Sequence, residues 1–252
     1  MYEQHLPGYT TAFNGFPWLT RDSGHYHFHY AANSLAEREI DYIEKTQESA
    51  FRNILAFLQI EPPEKKIHYY FYPDEDMKEK LMGSRWFAQS IYNDFSIHAL
   101  YTQKNRVIGP HEDAHLLSLP LGLSIGFLQE GLAERMVGAD WFGHPFIETV
   151  RSAIADEHFN VSAELLTSHE AWLATDDGYA RQYYALAALF VTYLIDTCGK
   201  QLFLKLYSSL SRTANPEENA AKYQEIFGIV PSELFSRFIK KYGLKITRAT
   251  RR

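Results

Sequence analysis

Cysteine is almost missing from this chain: Cys198 is the only one in 252 residues. That excludes an intramolecular disulfide and a cysteine-rich zinc module. In the setting YLIDTCG the thiol reads as a small hydrophobe at the end of a packed helix. No window of about 18 apolar residues exists, so no membrane-spanning helix is predicted. Basic residues form no patch suited to nucleic acid. The formal net charge is −6, and the RATRR tail at 248–252 is too short to make one. No G-x-S-x-G offers a serine nucleophile. The opening MYEQHLPGYTTAFNG has neither the basic nor the apolar region of an export signal, so a cytoplasmic location is expected if Met1 is the natural start. What the chain does have is core-forming material. Hydrophobic residues make up 46%, with 17 tyrosines and 17 phenylalanines, which fits one folded domain over 1–252.

Against this background one stretch carries chemistry, GPHEDAHLLSLPLGLSIGFLQEGLAE, from Gly109 to Glu134. His111 and His115 stand at i and i+4, one helical turn apart on one face, so both imidazoles can reach one metal ion. Glu112 lies beside that ion and can take a proton from an activated water. A catalytic zinc needs a third protein ligand, and Glu130 is well placed to supply it. Pro120 and Gly122 break the chain, Ser124 can cap a second helix from Ile125 to Val137, and Gly138 can end it. Two helices joined by a short connection pack antiparallel, which returns Glu130 to the histidines. Proline suits a first helical turn, so the first helix is predicted to start near Pro110.

HEDAH followed by FLQEGLAE resembles the gluzincin class of zinc metallopeptidases, and within it the peptidase MA-like group. The resemblance implies Zn2+ held by His111, His115 and Glu130, with Glu112 as general base. It also implies that Glu134 holds a ligand histidine from behind, which fixes the tautomer and raises ligand basicity. In this group a tyrosine opens a long helix of the form Y-A-x-A-x-x-F-V-x-Y-L, which residues 184–194 fit. The resemblance gives Tyr184 the role of oxyanion donor, with Tyr183 the neighbouring alternative. It further implies that the strand before the H-E-x-x-H helix is a sheet edge pairing with extended substrate, through Ser96, His98 and Leu100. His98 could face substrate or core.

Elsewhere the pattern predicts scaffold. His25 to Tyr30 reads as a strand whose histidines share a face, a polar aromatic surface more than a second metal site. Ser34 and Glu37 open a long helix that Pro62 stops. Strands are predicted at 66–73 and 95–102, a short helix at 74–82, and 86–94 is ambiguous. After Glu134 the chain reads as helical: 145–157, a variable segment at 161–175, a long helix from Tyr184, and three amphipathic helices from Lys200 to Gly243. The expected fold is α+β and zincin-like, a small mixed or antiparallel N-terminal sheet with helices followed by a mostly helical half. The halves are 1–118, sheet-bearing and carrying the H-E-x-x-H helix, and 119–252.

The expected function is zinc-dependent hydrolysis of peptide bonds in a peptide or protein substrate. The G-x-M-E-N element that aminopeptidases of this class use is absent, which leans the expectation toward an endopeptidase. The alternative is a peptidase-like fold retained for binding or regulation with little or no catalysis. Retention of Glu112 argues against that, since a binder has no use for the base.

Overall fold

A computed structural model describes residues 9–245. The tail at 248–252 lies outside the described residues. The chain divides into two compact units between Ser118 and Leu119. The fold is mixed α+β, with one five-stranded mixed sheet and twelve α-helices among the described residues.

The first unit contains α1 (Thr11–Asn14), β1 (Leu19–Asp22), β2 (Tyr26–Tyr30), α2 (Leu35–Arg38), α3 (Ile40–Leu58), β3 (Ile67–Tyr72), α4 (Glu75–Met82), β4 (Ala88–Ile91), β5 (Ser96–Leu100) and α5 (Pro110–Leu117). The helix expected from Ser34 is thus in two pieces. Ser34 caps α2 by accepting from the Glu37 amide at 3.1 Å, and a second helix begins at Ile40. The sheet order is β1-β2-β3-β5-β4. β2, β3 and β5 are parallel, while β1 and β4 run antiparallel to their neighbours. A parallel pair needs a crossover, and α3 supplies the one between β2 and β3. Its buried residues Ile43, Gln47, Ala50, Phe51, Ile54 and Leu58 keep helical spacing and form one face.

Strand alternation separates two kinds of surface. On β2, Tyr26, Phe28 and Tyr30 are buried while His27 and His29 are half-buried. The histidine face continues across β3 and β5. The His29 ring stacks on Tyr70 at 4.2 Å, and Tyr70 on His98 at 4.6 Å. Tyr9, Phe13 and Trp18 pack against this face. Burial, and then the charges of His68 and His27, push His29 down to about 4. His98 is held well below its ordinary range, first by burial and then by Lys78 and His29. These are neutral rings in a packed layer, the polar aromatic surface expected of His27 and His29, whereas His25 precedes β2 and its ring stacks on Phe51 of α3 at 4.0 Å.

The topology corrects one expectation. Ser96, His98 and Leu100 do not form a sheet edge. β5 lies between β3 and β4, and every residue of it is buried. His98 is fully buried, hydrogen-bonded to Tyr72 at 2.9 Å and Ser96 at 3.1 Å. The edge next to it is β4, in the stretch whose pattern is ambiguous. Four residues are too few for alternation to be legible, and the antiparallel partner that defines the strand follows it in sequence.

The second unit holds α6 (Gly126–Val137), α7 (Phe146–Ala153), α8 (His169–Leu173), α9 (Ala180–Cys198), α10 (Lys200–Ser209), α11 (Pro216–Phe227) and α12 (Pro231–Tyr242). The last three match the expected amphipathic helices, and Asn215 and Glu218 form a complete capping box at α11. Ser124 does not cap α6. The N-cap is Ile125, and the Ser124 hydroxyl is buried without a hydrogen-bond partner. The helix expected at 145–157 stops at Ala153. No helix among the described residues is long and apolar enough to cross a membrane.

Candidate metal centre

α5 starts at Pro110, with Gly109 as its N-cap at φ +109°, a conformation that a side chain would strain. His111 and His115 therefore occupy the first two turns. Their Nε2 atoms are 3.3 Å apart. His115 is buried and His111 half-buried.

What fixes this helix is hidden in the motif's third position. Asp113 lies two residues from either histidine, so at 100° per residue it points to the opposite side. There its Oδ2 accepts from the Tyr26 hydroxyl at 2.7 Å and from Gln47 Nε2 at 3.0 Å. Gln47 Oε1 also accepts from the Gly109 amide at 2.5 Å, so one side chain of α3 holds both the start and the back of α5. Burial pushes the Asp113 carboxyl well above the carboxylate range. The Tyr26 hydrogen bond opposes that, and the charges of Glu112 and Glu48 add to it. Its Oδ1 is buried without a hydrogen-bond partner among the described residues, which adds to the cost of charging it.

Glu112 is held by the edge strand. The Ser90 hydroxyl of β4 is 2.6 Å from Glu112 Oε2 and 3.2 Å from its backbone oxygen. Lys78 is fully buried nearby, donating to the Trp86 carbonyl. Burial brings its ammonium down to about 7, against the opposing pull of Glu112.

On α6, Glu130 is half-buried and Glu134 buried. Glu134 Oε1 accepts from the Trp141 indole at 3.1 Å. His111, His115 and Glu130 each offer one ligand atom, and these atoms lie within 4.8 Å of one another. A tetrahedral zinc with bonds of about 2.0–2.2 Å needs ligand atoms roughly 3.3–3.6 Å apart. The histidine pair already has that spacing, and two imidazoles with one carboxylate are a donor set zinc accepts.

No protein-family model matches this chain, and no curated protein is significantly similar to it. The case for function therefore rests on the residues themselves.

On α9 the two adjacent tyrosines part company. The Tyr183 hydroxyl donates to the Asn160 carbonyl at 3.1 Å and its ring packs on Phe159. Tyr184 is buried with its ring 5.5 Å from Trp141 and 5.6 Å from Trp172. Four residues of this neighbourhood have no role in the sequence reading: Gln47, Lys78, Ser90 and Asp113. Gln47, Lys78 and Ser90 lie 21 or more positions from the motif, at no diagnostic spacing. Asp113 sits inside it, and its burial could have been found from its position on the helix face opposite the histidines.

Proposed function

We propose that this chain is a zinc-dependent peptidase of the gluzincin kind, with a zincin-like fold and endopeptidase action. One observation carries the reading. Two imidazoles a helical turn apart and one carboxylate offer ligand atoms within 4.8 Å, with Glu112 between the histidines in sequence. His111, His115 and Glu130 would hold the ion. Bound zinc supplies a Lewis acid that brings the pKa of water toward neutrality.

The remaining chemistry belongs to the chain's own groups. Glu112 takes the proton of the attacking water and returns it to the leaving amine. The Ser90 hydrogen bond at 2.6 Å orients that carboxylate. Tyr184 donates to the oxygen that becomes negative as the carbonyl is attacked. Tyr183 is the weaker choice, since its hydroxyl is committed to Asn160. Glu134 steadies a ligand histidine from behind. An extended peptide or protein segment pairs with β4, the edge strand that already carries Ser90, through main-chain hydrogen bonds tolerant of sequence.

The test is metal content by elemental mass spectrometry beside peptide hydrolysis. About one zinc per chain is expected, lost in His115→Ala and Glu130→Ala. Glu112→Gln should keep its zinc and lose roughly 100- to 10,000-fold in hydrolysis rate. A wild-type chain that takes up no metal sinks the reading, and unchanged hydrolysis in Glu112→Gln removes the base from it.

A further inference from the structure

Two large aromatic side chains stand in solvent on the turn that follows α6. Trp141 is 49% exposed and Phe142 is 71% exposed. They are not on a loose loop. Asp140, whose side chain is buried, accepts from the Phe142 amide at 3.0 Å, from the His144 amide at 2.8 Å, from the Thr149 hydroxyl, and from Arg181 at 2.5 and 2.8 Å. Arg181 also stands over the Phe142 ring, 4.7 Å from its centre.

The indole of Trp141 joins two residues of the candidate site. Its Nε1–H donates to Glu134, one turn beyond Glu130 on α6, at 3.1 Å. Its ring meets Tyr184 edge-on, with centres 5.5 Å apart. Exposed aromatics carry a hydration cost, and here five hydrogen bonds to Asp140 fix the turn that carries them. Rings fixed in this way lose little freedom when a second apolar group covers them.

We propose that Trp141 and Phe142 form a subsite for a bulky apolar or aromatic side chain of the substrate, beside the bond to be cut. This rests on the peptidase reading and narrows it to peptides carrying such a residue. Trp141 is then a specificity residue that also positions Glu134, and Phe142 contributes the more open part of the surface. Docking of another protein onto the same two rings is the competing use, and it predicts no discrimination between small ligands.

The experiment uses the zinc-loaded full chain and two peptide hydroxamates, one with a phenylalanyl side chain and one with glycine only. Hydroxamate chelates zinc in both, so their affinity ratio isolates the side chain. Isothermal titration of the wild type should give a preference of about tenfold or more for the phenylalanyl ligand. Phe142→Ala, at a position too exposed to upset folding, should cut that preference severalfold, and Trp141→Ala should nearly abolish it. The Trp141 indole N–H resonance, assigned by its loss in Trp141→Phe, should move with the phenylalanyl ligand and not with the glycine one. Equal affinities in the wild type, or a preference unchanged in both variants, overturns the subsite while leaving the peptidase reading intact. A chain that binds neither hydroxamate and holds no zinc overturns both.

Discussion

Two buried aspartates end with opposite charge states, and the difference lies in their partners. Asp113 meets only the neutral donors of Tyr26 and Gln47, so burial decides and the acid stays protonated. At Asp140 burial also favours the neutral acid. The donors from Thr149, the His144 amide, Arg181 and the Phe142 amide outweigh it and hold the carboxyl well below the carboxylate range. Asp140→Asn should destabilise the chain by about 2–4 kcal/mol at pH 7 in a urea titration, because it strands Arg181 beside a neutral amide. The pH dependence follows in sign. A depressed folded-state pKa means the stabilisation is full above the unfolded value near 4 and is lost as pH falls through the lower folded value. The gap between wild type and variant should therefore narrow below about pH 4. Of this residue-scale detail the sequence shows only the candidates. His111, Glu112, His115 and Glu130 are visible because one helical period relates the first three and a second helix the fourth. Asp113 and Ser90 act through partners far away in the chain.

Among the elements, α6 carries the most responsibility, since Glu130 and Glu134 depend on where it lies. It lies close against α9 at Gly131, where an added Cβ would stand 2.6 Å from the Ala187 carbonyl and 2.7 Å from Val191. Gly131 thus admits the backbone of α9, and the neighbouring Glu130 is placed by that contact. Gly131→Ala would gain roughly 1 kcal/mol in helix propensity. The overlap with fixed backbone should outweigh that, for a net loss of about 1–3 kcal/mol. Calorimetry on the variant checks it, and a more stable protein would show that α6 and α9 can separate without cost. The pattern EGLAE marks Gly131 as present but gives it no task. The edge strand is the counterpart on the sheet. The residues before α5 look like a strand and are one, but strand order is a property of pairing, and β4 takes the outer place.

On the scale of the whole molecule, a ligand that binds only the folded chain must stabilise it. Zinc held at a free concentration 100-fold above its dissociation constant adds about 2.7 kcal/mol. For a chain of this length that raises Tm by roughly 5–10 °C. The rise should vanish with a chelator and be absent in Glu130→Ala, which differential scanning calorimetry can read. No rise in the wild type would mean that the folded chain does not bind the ion. The sequence by itself determined the α+β class, the helix bearing His111 and His115, the candidacy of Glu130, and most helix starts and stops, because these follow from local periodicity and capping. Tertiary structure alone decided that β5 is interior, that His98 is packed away, that Ser90 hydrogen-bonds Glu112 while buried Lys78 feels its charge, and that Asp113 anchors the helix it sits in. Those outcomes depend on which distant segments come together and on what is then denied to water, and no periodicity in the chain encodes either.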